Sequence, residues 1–228
     1  MKLGGLEKFS GVDFDGKLAC TLFTVGCNFR CPFCHNSPLV IETEENITEQ
    51  EFFDFLQERK HLLNGVCISG GEPTLQKDLI EFISKIKKLG FAVKLDTNGT
   101  NPTILQELIA SNLIDYVAMD IKNCFNAYSD IIGLKNYDLR SVKKSVEILK
   151  KDLVDYEFRT TLVREYHTLE NIIELGEDIK GAKKLFLQKF KPADTCLEKD
   201  LTEVSKADAE LFKDILSDNI PQVKLRGY

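Results

Sequence analysis

The sequence predicts an α/β fold, a partial (β/α)6 barrel of parallel strands with a short C-terminal extension. Short β-rich apolar runs alternate with segments of helical period. The alternation repeats at about 30-residue spacing, which forces parallel strands joined by right-handed crossovers. Polar, glycine-bearing segments follow the strand runs, where such folds collect their ligands. Six β-α steps fall short of the eight of a closed barrel, and a doubly wound open sheet is the rival arrangement.

The first strand run is Leu18 to Val25. A helix follows over about Thr48 to Leu63, opened by a capping box of Thr48 and Glu51. Val66 to Ser69 is the second strand, and a helix from about Leu75 to Leu89 buries Leu75, Leu79, Phe82, Ile83 and Ile86. Gly90 stands where a left-handed C-terminal cap belongs. Phe91 to Leu95 is the third strand; Asn101-Pro102 then reads as N-cap and first helical residue, with Ile104, Leu105, Leu108 and Ile109 facing inward. Ile114 to Met119 is the fourth strand, and Val142, Val146 and Leu149 mark the helix after it. Tyr156 to Val163 is the fifth strand, followed by a helix near Thr168 to Ile179 and a sixth strand, KLFLQKF. The tail adds a helix at about Ser205 to Leu216 and a short strand near Val223 to Leu225. Nothing splits the chain, so residues 1–228 read as one domain with a core at about 18–190 and an extension at about 191–228.

Composition narrows the class. Of 228 residues, 43% are hydrophobic and 29% charged, ordinary for a globular protein. No apolar run reaches the ~20 residues that span a bilayer, and the first residues lack the apolar centre of a secretory signal. A cytoplasmic location without membrane contact is the expectation. The net charge of −6, with lysines scattered, lacks the concentrated basic patch that nucleic-acid binding needs. Seven cysteines, three of them within eight residues, suit a reducing compartment and one metal site better than a disulfide scaffold.

That cluster is GCNFRCPFCHN, Gly26 to Asn36, with Cys27, Cys31 and Cys34 spaced C-x-x-x-C-x-x-C. Iron–sulfur clusters take cysteine thiolates, and three thiolates on a cubane leave one iron open. A zinc site with a distant fourth ligand, or buried free thiols, would also use these residues. Pro32 favours extended backbone at Cys31. Gly70, Gly71 and Glu72 follow the second strand. The glycines let a ligand approach the backbone, and Glu72 is suited to accept a charge-assisted hydrogen bond from an ammonium; a plain strand–helix turn is the alternative. Asp96, Thr97 and Asn98 follow the third strand, and Asp120 and Lys122 the fourth; an Asx-turn and a surface ion pair are the bland readings. Two carboxylates at one rim repel unless a cation lies between them. Arg159, mid-strand, needs an anionic partner, either a ligand or a core carboxylate, and Gln188 is a candidate of the same kind. Arg164 and His167 read as a solvated loop, and Cys20, Cys67, Cys124 and Cys196 as free thiols.

The segments GCNFRCPFCHN, SGGEPTLQ, LDTNGT and AMDIK, in that order, resemble the radical S-adenosylmethionine superfamily. Within it, the chain is similar to the activating enzymes of glycyl-radical proteins, in particular those serving anaerobic ribonucleotide reductase. The resemblance covers about Leu18 to Phe190. It implies an oxidoreductase with one 4Fe-4S cluster on Cys27, Cys31 and Cys34, and S-adenosylmethionine cleaved to a 5′-deoxyadenosyl radical that takes a hydrogen from a glycine Cα. It implies cofactor contacts from Phe33 and His35 (with Asn36 beside them), from Gly70, Gly71 and Glu72, from Asp96, Thr97 and Asn98, and from Asp120 and Lys122, to which the strand positions of Arg159 and Gln188 add two further candidates. It further implies a monovalent cation near Asp96 and Asp120, a glycyl-radical enzyme as partner, and a flavodoxin or ferredoxin-type reductant. The other readings are a radical enzyme acting on a small molecule, of the deazaguanine-synthase type, and a non-catalytic zinc or electron-transfer module; the last leaves GGEP, LDTNG and DIK without a role. The chain departs from the pattern at Val12 to Gly16, VDFDG where some activating enzymes have VDGPG, a loop read here as a partner contact. The tail after Phe190 carries no recognisable chemistry and is read as covering a sheet edge or docking a partner.

Overall fold

Apolar, β-branched runs too short for helices become the strands of one sheet. The structure, a computed structural model, describes residues 1–41 and 46–228. Its sheet has eight strands in sequence order. They are β1 (Leu3–Ser10), β2 (Ala19–Thr24), β3 (Gly65–Gly70), β4 (Ala92–Thr97), β5 (Tyr116–Asp120), β6 (Asp155–Leu162), β7 (Lys184–Lys189) and β8 (Gln222–Arg226). β1 runs antiparallel to β2, and every later neighbour pair is parallel. β1 and β8 are the two edges, so the sheet is open, an α/β architecture of the partial-barrel kind.

The helices are α1 (Ser37–Ile41), α2 (Glu49–Arg59), α3 (Leu79–Lys88), α4 (Pro102–Ala110), α5 (Tyr128–Ile131), α6 (Arg140–Lys150), α7 (Leu169–Asp178) and α8 (Lys206–Ser217). Their starts follow local chemistry. Thr48 and Glu51 close the expected capping box on α2, Asn101 caps α4 ahead of Pro102, and Ser205 caps α8. Gly90 ends α3 at φ +92°, the left-handed conformation expected of it. Leu79, Phe82, Ile83 and Ile86 form the buried stripe of α3. Leu75 does not join it: Pro73–Leu75 is a separate 3-10 turn, and Leu75 is 43% exposed.

Two differences from the expected order concern the ends of the sheet. β1 is an additional strand. Its sequence, LGGLEKFS, carries glycines and charges that suppress the strand pattern, as suits an edge. Gly4 is there for packing, since a Cβ would stand 2.4 Å from the Leu39 side chain. At the other end, α8 and β8 do more than extend the core, because β8 pairs with β7 as a further parallel strand.

Strand alternation sends apolar side chains outward to the helices and polar ones into the concave side. There Glu157 is buried and accepts from the Tyr116 hydroxyl (3.0 Å) and Arg226 Nη1 (3.2 Å). The VDFDG loop turns partly inward rather than lying free for a partner. Phe14 is buried against Tyr116, with ring centroids 6.1 Å apart, and Asp13 accepts from the Thr21 hydroxyl at 2.6 Å. Val12 remains 85% exposed. Cys20, Cys67, Cys124 and Cys196 are buried and unbridged, as expected. Among the described residues, no helix is long and apolar enough to cross a membrane.

Candidate active site

The segments after the C-terminal ends of the strands surround one cavity of about 490 Å³. Cys27, Cys31 and Cys34, from the loop between β2 and α1, contribute to its wall. The loop is held at many points. Gly26, at φ +95°, donates to the Leu39 carbonyl (2.7 Å); Arg30 donates to the Ile132 carbonyl (2.9 Å); the Glu198 amide donates to the Pro32 carbonyl (3.0 Å). His35 lies flat on Phe190, 5.6 Å between centroids, and its Nε2 donates to the Lys191 carbonyl (2.5 Å), while the Ser37 hydroxyl donates to the Thr195 carbonyl. The tail after Phe190 is therefore a strap across the cysteine loop. Burial pushes the Cys31 thiol up to about 12 and raises Cys27 and Cys34 above the ordinary thiol value, with Lys122 opposing the rise at all three.

Gly70 and Gly71 line the cavity, but the backbone that approaches them is the chain's own. A Cβ on Gly70 would stand 2.3 Å from the Thr24 nitrogen, and one on Gly71 2.0 Å from the Gly26 oxygen. These glycines let β3 lie tightly against the exit of β2. Glu72 does not fit its expected role of meeting an ammonium, because it is fully buried and lies outside the cavity lining. Its carboxylate accepts from the Thr74 amide (3.1 Å) and hydroxyl (2.6 Å), the Thr97 hydroxyl (2.8 Å) and the Asn98 amide (2.6 Å). Glu72 is thus a positioning residue for Thr97 and Asn98, and burial raises its pKa. Asn98 in turn donates to Asn28 Oδ1 (2.9 Å) and accepts from Thr100 (2.7 Å), with its Nδ2 4.0 Å from the Cys27 sulfur.

The two rim aspartates meet as expected, and the cation between them is Arg159. Its Nε donates to Asp120 (2.8 Å) and its Nη1 to Asp96 (3.1 Å). Lys122 caps the far oxygen of Asp120 (2.8 Å) and Lys94 that of Asp96 (2.9 Å). Two carboxylates here face three chain cations, although Asp96 Oδ1, 2.9 Å from Lys94 Nζ, makes no hydrogen bond among the described residues. Burial alone would raise both carboxyls, but the cations beside them hold both below the ordinary aspartate value. Lys94 escaped the sequence reading, although it sits two residues before Asp96 on the same strand face.

Phe33 is buried edge-on to Phe190, 6.4 Å between centroids, with Lys122 Nζ 5.8 Å from its ring. Gln188 lines the cavity as expected; Asp13, Ser69, Thr161 and Lys189 line it too and were missed. His167 is not in a solvated loop. It is buried, accepts from the Val163 amide at Nδ1 (3.0 Å) and donates from Nε2 to the Lys122 carbonyl (3.0 Å). Burial lowers its pKa, which keeps this neutral tautomer. Arg164 is 60% exposed, as expected.

The family model described as the radical SAM superfamily matches residues 21–179, most of this α/β core. The chain belongs to the radical S-adenosylmethionine superfamily. It is 38% identical over 200 residues to a Methanocaldococcus jannaschii protein provisionally named a glycyl-radical enzyme activating enzyme, covering 84% of this chain and 81% of that one. It is 29% identical over 195 residues to a pyruvate formate-lyase-activating enzyme of Streptococcus mutans, covering 78% and 72%. In fold it is similar to Streptococcus suis SuiB bound to S-adenosylmethionine, at a TM-score of 0.70 and 16% identity, over 89% of this chain and 48% of that one. Membership makes this a radical S-adenosylmethionine enzyme and implies a 4Fe-4S cluster with S-adenosylmethionine. The donor set fits. A cubane takes one thiolate per iron, and three soft sulfur ligands share this wall.

Proposed function

We propose that this radical S-adenosylmethionine enzyme is a glycyl-radical enzyme activating enzyme, with an anaerobic ribonucleotide reductase as its partner. The observation that carries the reading is the likeness to activating enzymes over most of the chain.

When bound, the cluster and S-adenosylmethionine supply hydrogen-abstracting radical chemistry. Cys27, Cys31 and Cys34 would hold the cluster. Phe33 and the stacked His35 offer flat surfaces suited to an adenine. Asp120, Lys122 and Arg159 place both charge signs around the cavity, which suits a zwitterionic methionyl group. Thr97 and Asn98, locked by Glu72, present fixed polar groups, and Gly70-Gly71 bring backbone to the same wall. Phe29 and Val40 keep one side of the cavity apolar and limit water beside a reactive carbon. A cytoplasmic setting and a flavodoxin or ferredoxin-type electron donor complete the reading.

Anaerobic incubation of the reconstituted enzyme with S-adenosylmethionine, dithionite and the candidate reductase should produce a glycyl doublet in the electron paramagnetic resonance spectrum. Cofactor cleavage without a doublet on any glycyl-radical protein, together with turnover of a small molecule, would replace this reading by the deazaguanine-synthase type. Because Arg159 occupies the place of the expected cation, S-adenosylmethionine affinity should not change when potassium replaces a large organic cation in the buffer. A tenfold dependence on potassium would show that Arg159 yields its position.

A further inference from the structure

A glycine offers no side chain to grip, so an enzyme that must aim at its Cα has only the flanking peptide groups to hold. Each carries one donor and one acceptor, and neutral donor–acceptor groups without partners of their own match them best. The charged side chains of the cavity already have partners: Arg159 and Lys122 bind Asp96 and Asp120, Asp13 accepts from the Thr21 hydroxyl, and Lys189 pairs with Glu203 at 3.0 Å. Three neutral groups do not. The Thr161 hydroxyl and the Asn36 and Gln188 amides line the cavity, half-buried, and make no side-chain hydrogen bond among the described residues, and of these only Thr161 and Gln188 stand side by side on neighbouring strands.

Their placement is as telling as their chemistry. Thr161 on β6 and Gln188 on β7 are direct partners in the parallel register. Adjacent strands lie ~4.8 Å apart, so both groups come within reach of the peptide groups flanking a single residue. Gln188 pairs in turn with Arg226 on the edge strand β8, so the rung runs from the cavity to the open side of the sheet. We propose that Thr161 and Gln188 are the substrate-holding pair and that they bind the main chain of a glycine-bearing peptide segment. The proposal rests on the activating-enzyme reading and takes Gln188 away from the cofactor, to which the sequence reading gave it.

The test uses the reconstituted chain with S-adenosylmethionine present and N-acetyl-pentaglycine amide as probe, titrated by calorimetry. The unaltered chain should bind it, and should bind the pentasarcosine analogue, which lacks the N–H donors, at least about tenfold more weakly. Gln188→Leu and Thr161→Val should each weaken pentaglycine by about three- to tenfold, while Thr161→Ser, which keeps the hydroxyl, should match the unaltered chain. In glycyl-radical formation the same variants should raise the KM for the partner protein more than they lower kcat. Pentaglycine binding unchanged in both variants, absent from the unaltered chain, or matched by a loss of S-adenosylmethionine affinity would overturn the assignment. If the unaltered chain forms the glycyl doublet and the variants keep its KM, this proposal fails alone. If the unaltered chain forms no doublet, the activating reading fails and takes this proposal with it.

Discussion

Glu72 shows how much one side chain organises here. Four donors converge on a carboxylate with no access to water, and two of them belong to Thr97 and Asn98 beside the cavity. Removing an acceptor strands buried donors, at about 1–3 kcal/mol each. Glu72→Ala should therefore lower unfolding free energy by about 3 kcal/mol or more in urea titration; a loss under about 1 kcal/mol would mean that water takes over the acceptor role. Asp120 acts through charge. Its folded pKa lies below the ordinary 3.8, because the pull of Arg159 and Lys122 outweighs the cost of burial. Its stabilisation is thus complete above about pH 4 and is lost as pH falls below the unfolded value toward the folded one. Asp120→Asn should cost about 2 kcal/mol at pH 7, the worth of a charge-assisted pair, and flatten the acid limb of the stability profile. An acid limb as steep as in the unaltered chain would remove Asp120 from that role. The motifs showed only part of this: the Asp120–Lys122 pair and a carboxylate for Arg159 were expected, whereas the burial of Glu72 was not. GGEP marks a turn near the site, but only two of the four donors to Glu72 belong to that turn, the other two coming from the β4 exit, and the partners of Asp120 come from β6 and its own segment.

At the scale of elements, the cysteine loop and the strap after Phe190 form a pair. Three hydrogen bonds join residues 191–198 to residues 32–37, and His35 stacks on Phe190 just ahead of the strap. The strap itself is anchored by buried Cys196, Leu201 and Val204. Double substitution of His35→Ala and Ser37→Ala should leave the sheet intact but loosen the loop. Amide exchange over residues 27–36 should quicken, and a chelator should strip reconstituted iron faster. Unchanged exchange would show that the backbone bonds Gly26–Leu39, Arg30–Ile132 and Glu198–Pro32 suffice to hold the loop. The cysteine spacing announced the loop by itself, since three soft ligands within eight residues have few other uses. The strap could not be read the same way, because its contacts are mostly main-chain carbonyls and amides, which leave no mark in residue type.

Over the whole molecule, a charged concave side replaces the apolar filling of a closed barrel. Outer faces pack on helices, while the inner faces of β4, β5, β6 and β8 are stitched by ion pairs reaching from Lys94 to Arg226. Arg226 fastens the edge strand to buried Glu157. Arg226→Ala should cost about 1–2 kcal/mol, less than a fully buried pair because the Arg226 side chain is 41% exposed and screened. The loss should shrink in high salt, and equal losses at low and high ionic strength would point to its packing on Phe186, 3.9 Å below, as the source.

The sequence by itself determined the order of strands and helices, their caps, the thiolate set and the strand ends at which polar residues gather. All of these depend on spacing along the chain, at periods of two, 3.6 or one β-α unit. It could not determine β1, whose glycines and charges are explained only by the β2 edge and by Leu39 above it. Tertiary structure alone decided which charge faces which. It placed Arg159 between the two aspartates, moved Glu72 out of the cavity, buried His167 under Lys122 and left Thr161 and Gln188 without internal partners. Coulomb and hydrogen-bond energies depend on separations of a few ångströms, and for residues tens of positions apart only the packed sheet sets those distances.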